Sequence, residues 1–394
     1  MSIPKPKKAI IALSGGVDSS VAAILLKNQG YQVEGVFMRL GIAGDNQAEK
    51  NAGAIAEKLD IKFRVINLSK EFKEKIISYF ISEYEKGRTP NPCVRCNKEI
   101  KFGILLNKVL RDKDSFIATG HYVNVIARSL SERSERNGDE AIPQLSSPCI
   151  VTGLLRHSVS LSLNSIPRND SVEYKLLKAK DENKDQSYFL YNLNQKILKR
   201  CLFPLGEYTK DKVREIARKH KLKIQDQKES QEICFIQDKY YGDFLKKYLK
   251  LKAGDIIDEN NNILGKHKGL PLYTIGQRRD IRIGGTGPYY VIGMNKRKNQ
   301  LVVSRNKNNK KLFSKEVIIK KVNWISGNIP KLPLKIKAKA RYRMSEQVAI
   351  IDKIKNKYII KFSKPQRAIM PGQSVVFYRN EGVLGGGIIE KISL

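Results

Sequence analysis

Ala12-Leu13-Ser14-Gly15-Gly16-Val17-Asp18-Ser19-Ser20 separates an apolar run, residues 9–13, from a helical pattern over residues 19–28. The run is short and continuous, as a buried strand is. The two adjacent glycines let the backbone turn tightly with its amides pointing inward, which makes an anion nest where the next helix begins. Ser14, Ser19 and Ser20 add hydroxyl donors, and Asp18 can hold a magnesium ion or orient the loop. The Gly-Lys-[Ser/Thr] ending of a Walker A loop is missing, so this is a different phosphate loop. Strand-like residues 32–38, a helical pattern over 46–59 and a third strand over 63–67 follow. A further short strand, residues 116–119, ends at Gly120 and His121. Strand–helix–strand at this spacing predicts a doubly wound parallel sheet.

Further along the chain the pattern changes twice. Residues 129–171 are rich in Ser, Pro and Asn without a clear period, and they read as an inserted, flexible surface loop that Cys149 and His157 share. Order returns at residues 175–177 and 187–192. Residues 209–219 form an amphipathic helix with Thr209 as its N-cap, and 240–248 form another. After about residue 252 short alternating strands with Gly and Asn punctuation predict one or two small barrels or sandwiches. The expected organisation is therefore a nucleotide-binding α/β domain over residues 1–240, a small β-rich central domain over 241–308 and a C-terminal barrel-like domain over 309–394.

The 394 residues are 41% hydrophobic and 29% charged, with a formal net charge of +35. That charge suits a polyanionic partner, although the abundance of Lys, Ile and Asn would also follow from an AT-rich genome. No apolar run reaches the roughly 20 residues of a membrane span, which excludes a helical membrane protein. Five cysteines, Cys93, Cys96, Cys149, Cys201 and Cys234, are too few and too odd in number for a disulfide scaffold, and point to a reducing, cytoplasmic setting.

Cys93 and Cys96 lie in Thr89-Pro90-Asn91-Pro92-Cys93-Val94-Arg95-Cys96-Asn97-Lys98-Glu99-Ile100-Lys101-Phe102. The prolines predict an extended loop with a helix after it. Cys96, near that helix start and between Arg95 and Lys98, is expected to have a lowered pKa and to be a nucleophilic thiolate. Taken alone, Cys93-x-x-Cys96 could also be half a zinc site or a redox pair. Cys234, in Ile233-Cys234-Phe235-Ile236, has apolar neighbours and reads locally as a core cysteine.

The Ser14–Ser19 loop resembles the pyrophosphate (PP) loop of N-type ATP pyrophosphatases. The cysteine segments resemble those of the tRNA-uridine 2-sulfurtransferase (2-thiouridylase) family. Ala118-Thr119-Gly120-His121-Tyr122, Lys184-Asp185-Gln186-Ser187-Tyr188-Phe189-Leu190, Phe203-Pro204-Leu205-Gly206, Tyr273-Thr274-Ile275-Gly276-Gln277-Arg278 and Pro371-Gly372-Gln373 match further blocks in order. The likeness spans the chain apart from residues 129–171. It implies ATP-dependent 2-thiolation of the wobble uridine (U34) of tRNA, with magnesium as cofactor. Cys96 would be the nucleophile and Cys234 the persulfide carrier, loaded by a sulfur-donor protein. Ala12, Leu13, Ser14, Gly15, Gly16, Val17, Asp18, Ser19, Met38 and Gly120 would bind ATP. His121, Lys184, Asp185, Gln186, Arg341, Tyr342 and Gln373 would contact tRNA of the glutamate, glutamine and lysine types. Asn91, Pro92 and Cys93 would face the target base. Many family members have Asp where Cys93 stands, so an iron–sulfur cluster on Cys93, Cys96 and Cys234 is an alternative reading. A lysidine synthetase shares the loop but needs no paired cysteines, and a non-catalytic tRNA-binding protein would not need the loop intact.

Overall fold

The strand before the phosphate loop, β1 (Lys8–Ala12), is buried from Ala9 to Ala12 because helices cover both faces of its sheet. The computed structural model describes residues 6–110, 112, 114–129, 172–222, 233–236, 241–281, 283–284 and 287–393. Of the expected insertion only Ser129 falls among them; Cys149 and His157 lie outside the described residues. Helix α1 (Val17–Asn28) follows β1 and is buried from Ser19 to Leu26. It stops at Gly30, whose φ of +81° supports a Schellman ending in which the Tyr31 amide donates to the Leu26 carbonyl.

Strands β2 (Gln32–Arg39) and β3 (Lys62–Asn67), with helix α2 (Asp45–Lys58) between them, complete one side of the sheet. A helical run then passes through α3 (Ser69–Phe72), a π-helical segment (Lys73–Ile77) and α4 (Ser78–Glu85). A second run comprises α5 (Pro92–Cys96), a π-helical segment (Asn97–Leu105) and α6 (Leu106–Val109). Strand β4 (Ser115–Ala118) returns to the sheet beside β1.

A hairpin of β5 (Asn124–Ser129) and β6 (Val172–Leu177), the short helix α7 (Gln195–Leu198), strand β7 (Cys201–Leu202) and helix α8 (Lys210–Lys219) follow. The five strands run in the order β3-β2-β1-β4-β7, and every pair is parallel. The order reverses beside β1, so the loops after β1 and β4 flank the crevice where such sheets bind ligands.

Helix α9 (Tyr241–Lys246) leads to a four-stranded sheet. It is built from β8 (Gly254–Ile257), β9 (Ile263–His267), β10 (Tyr290–Asn295) and β11 (Gln300–Ser304) in the order β10-β11-β8-β9. The last six strands are β12 (Phe313–Trp324), β13 (Leu334–Lys339), β14 (Gln347–Ile354), β15 (Lys357–Arg367), β16 (Ser374–Arg379) and β17 (Gly382–Ser393). Pairing of β12 with both β15 and β17 closes them into an antiparallel barrel. The expected α/β domain, central domain and C-terminal barrel are thus the observed architecture.

Barrel and parallel sheet are tied together by the chain between them. Strand β6 pairs with β17 through Leu176↔Val383 and Leu177↔Gly382. The Lys178 ammonium meets the Glu346 carboxylate at 2.7 Å, and the Tyr188 hydroxyl donates to the Ser374 carbonyl at 2.8 Å. The Asn323 side chain donates to the carbonyls of Tyr191 and Leu193.

Candidate active site

The phosphate loop is held by hydrogen bonds among its own residues. The Ser14 amide donates to the Ser19 hydroxyl at 3.1 Å, and the hydroxyls of Ser19 and Ser20 donate to the Gly16 carbonyl at 3.1 and 2.8 Å. Gly15 has φ of +75°, and a Cβ there would lie 2.4 Å from the Ala48 carbonyl oxygen, so only glycine fits. Gly120, after β4, closes the other side: a Cβ on it would stand 2.8 Å from the Ser19 amide nitrogen. Met38, the penultimate residue of β2, is partly buried against the core.

Asp18 is the only carboxylate in the loop. Its Oδ1 accepts the Tyr122 hydroxyl at 2.8 Å and the Lys210 ammonium at 2.7 Å. Neither residue belongs to the loop motif itself. Tyr122 stands two residues past Gly120, whereas Lys210 comes from α8, and no local pattern links it to the loop.

The thiols are placed differently from expectation. Asn91 caps α5 by accepting the Val94 amide, and buried Pro92 takes the first helical position, so Cys93 and Cys96 belong to the helix itself rather than to a loop before it. Cys96 is not a low-pKa thiol. Burial pushes it up to about 12, and the nearby thiols of Cys234 and Cys93 add to the rise. Cys93 is raised to about 11 by burial and by Cys234. The flanking cations that motivated the opposite expectation point elsewhere: the Arg95 guanidinium stacks on the Tyr79 ring, 4.2 Å from its centroid, and Lys98 is exposed. Lys101 is the cation whose charge reaches the thiols, lowering the pKa values of Cys93, Cys96 and Cys234 against the larger effect of burial.

Cys234 is exposed as a residue rather than a core cysteine, yet its sulfur is crowded enough by protein for burial to raise its pKa. It sits in a turn closed by the Ile236 amide on the Ile233 carbonyl. The next residue is the anchor: the Phe235 ring packs against Phe72, Phe80 and Phe244 at centroid distances of 5.8, 5.3 and 5.4 Å. Cys93, Cys96, Cys201 and Cys234 are free thiols, and Cys201 is buried on β7, paired with Ile117 of β4. Among the described residues no group of three His, Cys, Asp or Glu side chains is placed to hold a metal ion.

The residues expected at tRNA are mostly engaged within the chain. His121 is buried against the rings of Phe102 and Phe203, with Nδ1 2.8 Å from the Thr119 hydroxyl, and burial holds its pKa well below 6.5. Asp185 is buried and accepts the amides of Ala179 and Ser187 and the Ser187 hydroxyl. The Gln186 side chain accepts the Tyr122 amide at 2.9 Å, and its own amide donates to the Tyr122 carbonyl. Arg341 donates to the Ala368 carbonyl, Tyr342 stacks on Phe189, and Lys184 is half-buried. Gln373 donates to the Thr89 carbonyl at 2.8 Å. Thr89, Arg341 and Gln373 also line a cavity of about 950 Å³, together with Tyr241, Lys246 and Lys268, where the three folded layers meet. His267 is structural: its ring bonds the Asn299 carbonyl and the Gly269 amide.

Three family models match consecutive parts of the chain. The tRNA methyl transferase HUP domain matches residues 7–238, the tRNA methyl transferase PRC-barrel domain residues 242–305, and the aminomethyltransferase beta-barrel domain residues 314–389. The tRNA-specific 2-thiouridylase MnmA of Carboxydothermus hydrogenoformans is 39% identical, over 99% of this chain and 100% of that protein. Its namesake in Buchnera aphidicola is 41% identical, over 99% of each chain. The one in Clostridioides difficile is 41% identical, over 98% of each. No helix among the described residues is long and apolar enough to cross a membrane.

Proposed function

The chain belongs to the tRNA-specific 2-thiouridylase family, and from that membership we propose that it uses ATP and two cysteines to replace the C2 oxygen of the wobble uridine of tRNA with sulfur. One observation carries the mechanism. The segment Thr119–Tyr122 borders both regions: Gly120 and Tyr122 touch the phosphate loop, while the His121 ring packs on Phe102, in the helical segment that directly follows Cys96. A base lying along that segment would reach a bound α phosphate on one side and a thiol on the other.

The target uridine must leave its stack to enter, since its C2 oxygen is otherwise out of reach. The loop amides and the serine hydroxyls hold the nucleotide phosphates. Asp18 would hold a magnesium ion, which would offset phosphate charge as pyrophosphate departs. The uridine C2 oxygen attacks the α phosphate, a P–O bond to pyrophosphate breaks, and the adenylated oxygen becomes a good leaving group. Cys234 carries the outer sulfur of a persulfide loaded by a donor protein. In one route Cys96 attacks the inner sulfur, hydrosulfide leaves with the proton, and hydrosulfide displaces AMP at C2. In the other the outer sulfur attacks C2 directly, AMP leaves, and Cys96 then resolves the bond. Both end in a Cys96–Cys234 disulfide that an external thiol must reduce. The tRNA phosphates account for the charge of +35, and the basic cavity at the junction of the three layers is where RNA would seat.

Pyrophosphate release from ATP and thiolated uridine in tRNA are the two readouts. Cys96→Ala and Cys234→Ala are expected to release pyrophosphate in the presence of tRNA and to make no thiolated base. Thiolation persisting in both variants would overturn the mechanism.

A further inference from the structure

Lys210 occupies a costly position. It is 6% exposed, and it is the first residue of α8, whose N-terminal amides already carry partial positive charge. Thr209 caps this end by accepting the Lys212 amide, and the Lys210 amide donates to the Asp181 carboxylate at 2.9 Å, so the backbone is fixed on both sides. What offsets the cost is Asp18. The ammonium lies 2.7 Å from Oδ1 and 5.9 Å from the centroid of Tyr122, whose hydroxyl binds the same oxygen.

The loop has a complementary difficulty. An anion nest works by presenting amides and no negative charge, yet this one carries a carboxylate in the first turn of α1. A Walker A loop brings its own lysine; this loop has none within it.

We propose that Lys210 is the positioning cation of the nucleotide loop: it neutralises Asp18 and, with Tyr122, fixes that carboxylate so that a nucleoside triphosphate can enter the anion nest. Without it, Asp18 repels the phosphates until a metal ion arrives with them. The inference rests on the loop being the nucleotide site and goes beyond it in assigning α8 a part in that site.

The test is ATP affinity by calorimetry in EDTA, which removes divalent metal and isolates the charges of the protein. Lys210→Met is expected to weaken ATP at least tenfold, and Lys210→Arg to stay within threefold of wild type. Asp18→Asn alone is expected to tighten ATP at least threefold. In Asp18→Asn/Lys210→Met, where neither charge remains, affinity is expected to return to within threefold of wild type. That recovery separates charge from general damage, because a structural role for Lys210 would leave the double variant as weak as Lys210→Met or weaker. If Lys210→Met does not fold, Asp18→Asn still decides: failure to tighten ATP overturns the proposal. ATP binding that is indifferent to every substitution in EDTA also overturns it, while leaving the nucleotide site itself standing. A wild-type protein that fails to bind ATP with magnesium overturns both.

Discussion

Gln373 and Thr89, 284 positions apart, hold each other's turn: the Gln373 side chain donates to the Thr89 carbonyl at 2.8 Å, while the Thr89 amide donates to the Pro371 carbonyl at 2.9 Å. A turn of the barrel is thereby bonded to the residue two positions before the Asn91 cap of the cysteine helix. Gln373→Ala removes one bond and leaves a partly buried carbonyl in need of a partner, at a cost of about 1–2 kcal/mol. Denaturant unfolding is expected to report that loss, and thiolation turnover to fall with it. The dissociation constant for tRNA is expected to stay within threefold. A tenfold loss of RNA affinity at unchanged stability would instead make Gln373 a direct contact.

Gly120, two residues past β4, stands directly against the phosphate loop. Gly120→Ala forces a methyl group to within 2.8 Å of the Ser19 amide and the Asp18 carbonyl carbon. Both are backbone, so the loop itself has to move. Overpacking of this kind costs about 1–3 kcal/mol. The expected result is a larger loss in ATP affinity than in tRNA affinity, measured by calorimetry on the same preparation.

The thiols should react in an order set by exposure. With iodoacetamide at pH 7.5, peptide mass spectrometry is expected to find Cys234 labelled first and Cys96 and Cys201 protected until the protein unfolds. Cys96 also gives the fold a pH dependence. Its pKa rises from 9.0 to about 12 on folding, so the folded state holds the proton more tightly. The stability it contributes is fully present below pH 9 and is lost as pH climbs toward 12. Between those limits Cys96→Ala is expected to lose stability less steeply than wild type.

Lys101 is the cation common to Cys93, Cys96 and Cys234. Lys101→Met is expected to raise the pH at which Cys234 is half-maximally alkylated and to slow thiolation at neutral pH, with activity recovering on titration upward. Lys101→Arg should restore the wild-type profile. An unchanged alkylation profile in Lys101→Met would remove the residue from the thiol chemistry.

The loop between β1 and α1 was legible because its determinants are local: a buried strand, two glycines and a helix within one short stretch. The start of the cysteine helix was also written locally, in Asn91 as cap and Pro92 at the first position, but the two prolines read more readily as a loop. Arg95 misled because neighbours on a helix point about 100° apart; adjacency to Cys96 in sequence sends its guanidinium to Tyr79 instead. Lys210 and Asp18 are 192 positions apart and Gln373 and Thr89 more, so those pairs exist only once sheet and barrel have closed. No periodicity announces them. The same holds for His121 and Asp185, polar residues that the fold turns inward and satisfies with its own donors and acceptors.

Phe235 leaves the sulfur beside it on a short leash. Its phenyl ring is packed among three others, and each residue of extended chain spans at most about 3.6 Å. In the proposed mechanism, the anchored ring keeps Cys234 close to the surface of this fold, and a donor protein that loads it is expected to bring its reactive group down on an arm of its own.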